Sequence, residues 1–317
     1  MIALADIPVN VYKALLILAT IIWGFSFVVM KNVVEVVPPA LLLGVRFTLA
    51  GLLLLAILHK RVRRNFSWKM VGLGAILAFF DFSAFLAQTI GLQYTTPGIN
   101  AFLTATYCVI VPFAWWVVAH RHPSFCNVGA AVVAVMGIWL VAVSTSGETL
   151  TLGLGEGLTQ VCALLFAIHI VLVSRFSRGR DVLTLTVFQF IFEGLFGLCV
   201  GGLFETPPAI SLITPEVMGQ MAFLIVFASV VAFGIQNVSL AYVPPAQASL
   251  FLSLESVFGV VFSVLLYGEV LTARLVIGFI LIFAAILVNE LLAPRVEAKR
   301  AIVAFKRKKW KEDEQDV

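Results

Sequence analysis

Two stretches of this chain contain no Asp, Glu, Lys or Arg: residues 82–120, 39 residues long, and residues 217–254, 38 residues long. A membrane-crossing helix needs about 20 predominantly apolar residues, so each stretch is too long for one ordinary span. Each is also interrupted by a proline turn, Thr95-Thr96-Pro97-Gly98 in the first and Val243-Pro244-Pro245-Ala246 in the second. A proline pushes the residue before it out of the helical region, so the chain is expected to break at both turns. The rest of the sequence agrees with a membrane interior. It is 61% hydrophobic and 12% charged, with mean hydropathy +1.07, where soluble domains have about 45–50% apolar and about 25% charged residues. These values exclude a soluble fold, a disordered chain and a large receptor. They also leave too little chain outside the apolar segments for an extramembrane catalytic domain.

Charges, prolines and glycines divide the chain into ten expected spans near residues 12–30, 39–59, 69–92, 98–119, 125–144, 155–174, 183–204, 217–240, 246–267 and 272–292. The fold class is therefore all-α integral membrane. The first 30 residues lack the basic leading region and the small-residue cleavage site of a secretory signal, and are read as a retained first helix.

Basic residues set the orientation. With a cytoplasmic N-terminus, the inner segments carry Lys13; Lys60, Arg61, Arg63, Arg64 and Lys69; Arg121; Arg175, Arg178 and Arg180; and eight more from Arg295 to Lys311. These are 18 of the 21 Lys and Arg residues, leaving Lys31 and Arg274 outside and Arg46 within a helix. The outer loops hold Glu35, Glu148, Glu156, Glu205, Glu216 and Glu269. Both termini are expected in the cytoplasm of a multi-pass protein of the cytoplasmic membrane. The basic tail Lys306-Arg307-Lys308-Lys309-Trp310-Lys311 reads as a solvated segment near anionic headgroups, not as a nucleic-acid site. Cys108, Cys126, Cys162 and Cys199 are scattered and read as small apolar filler. His120-Arg121-His122 lacks further metal ligands. No cofactor or metal is expected. The partners are the lipid bilayer and a small-molecule solute, and the protein is expected to be a monomer.

Internal similarity constrains the fold further. At an offset of 148, residues 84–98 align with 232–246. Six of the fifteen positions are identical: Ala84/Ala232, Phe85/Phe233, Gln88/Gln236, Leu92/Leu240, Tyr94/Tyr242 and Pro97/Pro245. At an offset of 143, Phe47 meets Phe190, Gly51 meets Gly194 and Arg46 meets Gln189. The repeat is five spans long. Because five is odd, the second copy enters from the opposite face, giving two inverted repeats with a site expected between them near the midplane. The domains are 12–144 and 155–292, followed by a charged cytoplasmic tail, 293–317.

The chain resembles the drug/metabolite transporter superfamily, in the form that carries two EamA domains. The residues behind the resemblance are Ile22-Trp23-Gly24-Phe25-Ser26-Phe27, Val45-Arg46-Phe47, Ala248 to Phe258 with Glu255, and Tyr267-Gly268-Glu269-Val270-Leu271-Thr272. It covers about residues 12–292. It implies ten helices in two inverted halves and translocation of small organic solutes, often as export. One departure is Glu255-Ser256, where the family has Glu-Pro. A second is Tyr107-Cys108 and Arg121 in the first half, against Glu255-Ser256 and Glu269 in the second.

Polar groups inside a bilayer are costly and usually face a bundle interior or a watery cavity. Asp81 and Gln88 are seven residues apart and share a face with Phe85, matched on the eighth span by Ser229, Phe233 and Gln236. Two readings stay open for the glutamines: hydrogen bonding to a polar solute, or interhelical bonds worth about 0.6 kcal/mol each. Thr186, Gln189, Glu193 and Gly197 form one stripe. Asn100, Thr104, Tyr107 and Cys108 form another, with a kink expected at Pro112. Ser249, Ser253, Ser256 and Ser263 read as a close-packing face. The candidate cavity residues are Trp23, Asp81, Phe85, Gln88, Asn100, Tyr107, His169, Gln189 and Gln236. Asp81, Glu193 and Glu255 are candidates for carrying a proton, the alternative being permanently neutral or Arg46-paired structural groups. The leading function is a secondary carrier for amino acids or related amphipathic metabolites. The rivals are a passive channel and an integral-membrane enzyme. No nucleotide-binding loop, HExxH or GxSxG motif occurs.

Overall fold

A computed structural model describes residues 8–119, 122–144, 151–243, 248, 251–288 and 292. The chain folds into helices α1 (Val9–Val34), α2 (Pro39–Asn65), α3 (Trp68–Tyr94), α4 (Pro97–Thr104), α5 (Tyr107–Ala119), α6 (Phe125–Ala142), α7 (Leu154–Phe176), α8 (Val182–Phe204), α9 (Pro215–Phe223), α10 (Ala232–Tyr242), α11 (Leu254–Phe262) and α12 (Ala273–Leu287). Among the described residues, seven helical segments are long and apolar enough to cross a membrane: α1, α2, α3, Pro97–Val118, α7, α8 and Pro215–Tyr242. Three shorter apolar helices accompany them: Phe125–Val141, Leu254–Tyr267 and Ala273–Leu287. The basic tail from residue 293, the turn at 244–246, the Arg121 loop position, Glu148 and Ser249 lie outside the described residues.

Prolines and short polar side chains account for the helix starts. Pro39, Pro97 and Pro215 occupy the first turn of α2, α4 and α9, where their missing N–H costs nothing. Ser67, Thr96, Asp181, Thr214 and Thr272 each accept a backbone N–H of the helix that follows. Pro97 therefore does two things: it stops α3 at Tyr94 and it starts α4.

The structure differs from the sequence expectation at three places. Pro97–Val118 is not one unbroken helix kinked at Pro112. It parts at Ala105–Thr106, where the Thr106 hydroxyl bonds the Leu103 carbonyl (2.6 Å), while Pro112 lies inside α5. Residues Leu224–Val231 form a π-helical segment between α9 and α10, and Ser263–Tyr267 form another after α11. Between α6 and α7, Val143 and Ser144 pair antiparallel with Leu152 and Thr151, a two-residue ladder with no periodicity signal in the sequence.

The most extensive helix contacts are α2 on α8, α3 on α7, α6 on α12, α3 on α8 and α1 on α11. Small residues make the α2–α8 contact close. A Cβ on Gly197 would lie 2.6 Å from Gly44 Cα and 2.9 Å from the Ala40 carbonyl oxygen. At the centre, four phenylalanines close into a ring. Phe47 meets Phe85 and Phe190, each at 5.3 Å between ring centroids, and Phe233 meets Phe85 at 5.8 Å and Phe190 at 5.7 Å. Phe47 and Phe190 are one aligned pair of the sequence repeat, and Phe85 and Phe233 are another.

The helices are locked at one end by ionic caps. The Glu205 carboxylate accepts the backbone N–H of Ala40 (2.9 Å) and Leu41 (2.8 Å) at the start of α2. Glu269 accepts the Thr96 hydroxyl (2.5 Å) and the Gly98 N–H (3.0 Å) at the start of α4. Lys31 Nζ donates to the carbonyls of Leu92 (2.7 Å), Gln93 (3.3 Å) and Thr95 (3.2 Å) at the end of α3. Anions thus sit at helix N-termini and a cation at a C-terminus, each matched to the local dipole.

At the other end Arg61 Nη2 pairs with Asp181 Oδ2 at 2.6 Å, and the Asp181 carboxylate caps α8 through the Thr184 N–H (2.9 Å). Burial alone would push the Asp181 carboxyl up. The hydrogen bonds from Arg61 and Thr184 outweigh it and hold the group below the ordinary carboxylate range. Its contribution to stability is therefore complete above the unfolded value of about 3.9 and is lost as pH falls through the folded value. Asp181→Asn should lower the thermal midpoint at neutral pH, and the difference from wild type should shrink on acidification. A difference that is constant with pH would show that the charge contributes nothing.

Candidate functional site

A cavity lies among the helices, walled by residues from both halves of the chain. Trp23, Ser26, Phe27 and Met30 of α1 form one wall, and Phe85, Gln88 and Leu92 of α3 another. Phe166 and Ile170 come from α7, Phe233 and Gln236 from α10, Thr104 from α4, Tyr107 from α5, Arg46 from α2 and Glu255 from α11.

Local structure explains how several of these groups are placed. In the π-helical segment the Ala232 N–H bonds the carbonyls of Phe227 and Ser229 and bypasses Ala228, whose carbonyl accepts Trp23 Nε1 at 2.9 Å. The indole is thereby anchored across the bundle, with its ring edge-on to Phe233 at 5.4 Å. The same segment presents the Ser229 hydroxyl to Arg46 Nε at 2.7 Å. Arg46 is 1% exposed, and its guanidinium lies 4.9 Å from the Phe47 ring centroid and 5.0 Å from that of Phe85. These are cation–π distances. Arg46 Nη1 and Glu255 Oε1 have no hydrogen-bond partner. Gln88 donates to the Thr104 hydroxyl (3.0 Å). Gln88 and Gln236 are 5% and 6% exposed, so both amides lie deep inside.

Next to the cavity lies a closed polar cluster. Gln189 Nε2 is 2.9 Å from Asp81 Oδ2, 2.8 Å from Glu193 Oε1 and 3.1 Å from His169 Nε2. Asn237 Nδ2 approaches Gln189 Oε1 (3.3 Å) and donates to the Thr186 hydroxyl (3.1 Å). Asp81, His169, Gln189 and Glu193 have no solvent exposure.

Comparison with known proteins matches the model of the EamA-like transporter family to residues 12–143 and again to residues 153–290. The chain belongs to the EamA-like transporter family. A relative in Archaeoglobus fulgidus, described as an uncharacterized transporter, is 30% identical over 280 residues, which cover 87% of this chain and 84% of the relative. The uncharacterized transporter YyaM of Bacillus subtilis is 28% identical, covering 88% of this chain and 92% of its own. A solved crystal structure with 20% identity superposes with a TM-score of 0.65 over 90% of this chain and 98% of that one, a likeness of fold. Family and relatives together support a multi-pass membrane transporter and not an enzyme.

In this EamA-like transporter, Trp23, Phe85, Gln88, Tyr107 and Gln236 line the cavity, as does Glu255. Asp81, Asn100, His169 and Gln189 do not. Asn100 Nδ2 donates to Thr159 Oγ1 (2.8 Å) and ties α4 to α7, while the other three belong to the closed cluster. The reason is depth. Seven residues along a helix return to the same face but rise about 10.5 Å, so Asp81 meets α7 and α8 where Gln88 meets the cavity. Arg46, Phe166, Ile170 and Met30 line the cavity without having been singled out for it, whereas Phe233 was marked by its alignment with Phe85. Arg46 carried a signal, as the lone basic residue expected within a helix. The other three carried none, since nothing separates them from their lipid-facing neighbours.

Proposed function

We propose that this protein is a secondary carrier of ten membrane-crossing helices in two inverted five-helix repeats, residues 12–144 and 155–292. In this reading it exports small zwitterionic metabolites such as amino acids across the cytoplasmic membrane by alternating access, with both termini in the cytoplasm. The observation that carries the reading is the pairing of Gln88 and Gln236. They occupy aligned positions of the repeat, on α3 and α10, and both line one internal cavity. The packing supports it. α2–α8 and α6–α12 are each a pair of repeat-equivalent helices, and the four-phenylalanine ring maps onto itself when the halves are exchanged.

The solute class follows from the wall chemistry. A buried guanidinium with an unsatisfied N–H suits a carboxylate, and a buried carboxyl with an unsatisfied oxygen suits an ammonium. The aromatic rings and the two aligned amides that share the cavity suit a side chain of mixed polarity. Export is the direction that the family resemblance implies.

Counterflow tests the reading. Purified protein in liposomes preloaded with amino acid should accumulate labelled amino acid transiently, with saturation. Unsaturable flux without counterflow would favour a passive channel. Gln88→Ala and Gln236→Ala should each raise the half-saturating concentration, by about tenfold if each amide contributes about 1 kcal/mol or slightly more to binding, at normal protein level. Unchanged kinetics in both variants would remove the amides from the site.

A further inference from the structure

We infer that Asp81 and Glu193, bridged by the Gln189 amide, form a buried proton-binding site that holds one proton between two carboxyls. The observations are geometric. The two hydrogens on Gln189 Nε2 reach both carboxyls, at 2.9 and 2.8 Å. Their other oxygens, Asp81 Oδ1 and Glu193 Oε2, have no hydrogen-bond partner. Two ionised carboxylates offer only acceptors, so a proton on one supplies the missing donor.

Charge balance favours the same proton when His169 is neutral. Arg46 from α2 interacts electrostatically with Asp81 of α3 and Glu193 of α8. His169 and Cys162 face Asp81 from α7, with His169 Nδ1 3.3 Å from Asp81 Oδ1 but not aligned for a hydrogen bond, and Asn237 and Ser229 complete the surroundings as neutral groups. With Arg46 charged and His169 neutral, two carboxylates would leave a net buried negative charge, which is costly in a low-dielectric interior. One proton restores neutrality. Such acid pairs share a proton because both cannot ionise at close range. Arg46 also lines the cavity, so an anionic group bound there competes for its charge and draws a second proton into the cluster. That coupling rests on the cavity being the solute site; the proton site itself does not.

Infrared spectroscopy in an ester-free detergent tests the site without any solute. The protein should carry Glu255→Gln, which removes the other buried carboxyl of the cavity. At neutral pH a carboxylic-acid carbonyl band is expected, shifting in heavy water and converting to carboxylate absorption at alkaline pH. The band should disappear in Asp81→Asn and in Glu193→Gln, because the remaining acid ionises against Arg46. It should double in Arg46→Gln, where both acids take a proton. Absence of the band from the folded Glu255→Gln protein would overturn the proposal, as would its survival in both single variants. The measurement on the Glu255→Gln protein alone is decisive even if the cluster variants do not fold.

Discussion

Arg46→Gln should abolish measurable counterflow while leaving the folded protein in the membrane. Truncating one partner of a buried, hydrogen-bonded charge pair costs about 2–5 kcal/mol or more, which corresponds to a loss of about thirtyfold or more in apparent affinity for a carboxylate-bearing solute. The fold should survive because the two carboxyls that face Arg46 each take up a proton instead of being left as uncompensated buried charge, although the Ser229 hydrogen bond and the ring contacts of the guanidinium are lost. The check is paired: counterflow kinetics in liposomes, and thermal unfolding of the same preparation in detergent. Full counterflow in the variant would remove Arg46 from the solute site. A collapse of the thermal midpoint would assign it to structure instead.

Gly197→Leu should be strongly destabilising at the α2–α8 contact. Even the first carbon of the new side chain would fall 2.6 Å from Gly44 Cα and 2.9 Å from the Ala40 carbonyl, atoms of backbone that cannot rotate away. The two helices must separate, and Glu205 at the end of α8 would lose its hold on the N-terminus of α2. Overpacking of this kind costs about 1–3 kcal/mol and sometimes more, so a drop of about 2–5 °C in the thermal midpoint is expected for a chain of this size. Gly202→Leu provides the control. It lies on the same helix, is exposed, and an added Cβ there meets nothing within 4 Å. Equal effects from both substitutions would mean that the loss reflects leucine in the helix and not the close approach.

The sequence disclosed much of this architecture for identifiable physical reasons. A proline turn inside a charge-free stretch has one economical interpretation in a membrane, and Pro97 both ends α3 and begins α4 as that interpretation requires. Gln88, Gln236, Trp23 and Tyr107 were legible because polar and amphipathic groups are conspicuous against an apolar background, and they do line the cavity. Phe166, Ile170 and Met30 were not legible, since a cavity wall and a lipid-facing wall use the same residues. Asp81 was placed on the correct face but not at the correct depth, because periodicity reports angle and says nothing of which neighbour stands two turns away.

The loop charges were the other blind spot. Lys31, Glu205 and Glu269 looked like solvated residues of the outer loops, yet each bonds the end of another helix. Glu269 reaches Gly98 across 171 residues of sequence, a distance over which no local pattern gives warning. The π-helical segment at Leu224–Val231 was likewise hidden, because its effect is to redirect the Ala228 carbonyl and the Ser229 hydroxyl, not to alter composition.

Alternating access to the cavity between the two repeat-equivalent helices is the central claim, and sided thiol labelling tests it most directly. Ser26 lines the cavity on α1, so Ser26→Cys, in a protein whose four native cysteines are replaced, places a reporter inside it. In sealed vesicles of each orientation, a membrane-impermeant thiol reagent should label this position from either face, and excess amino acid should slow labelling from both. Labelling from one face only, at any solute concentration, would contradict the account.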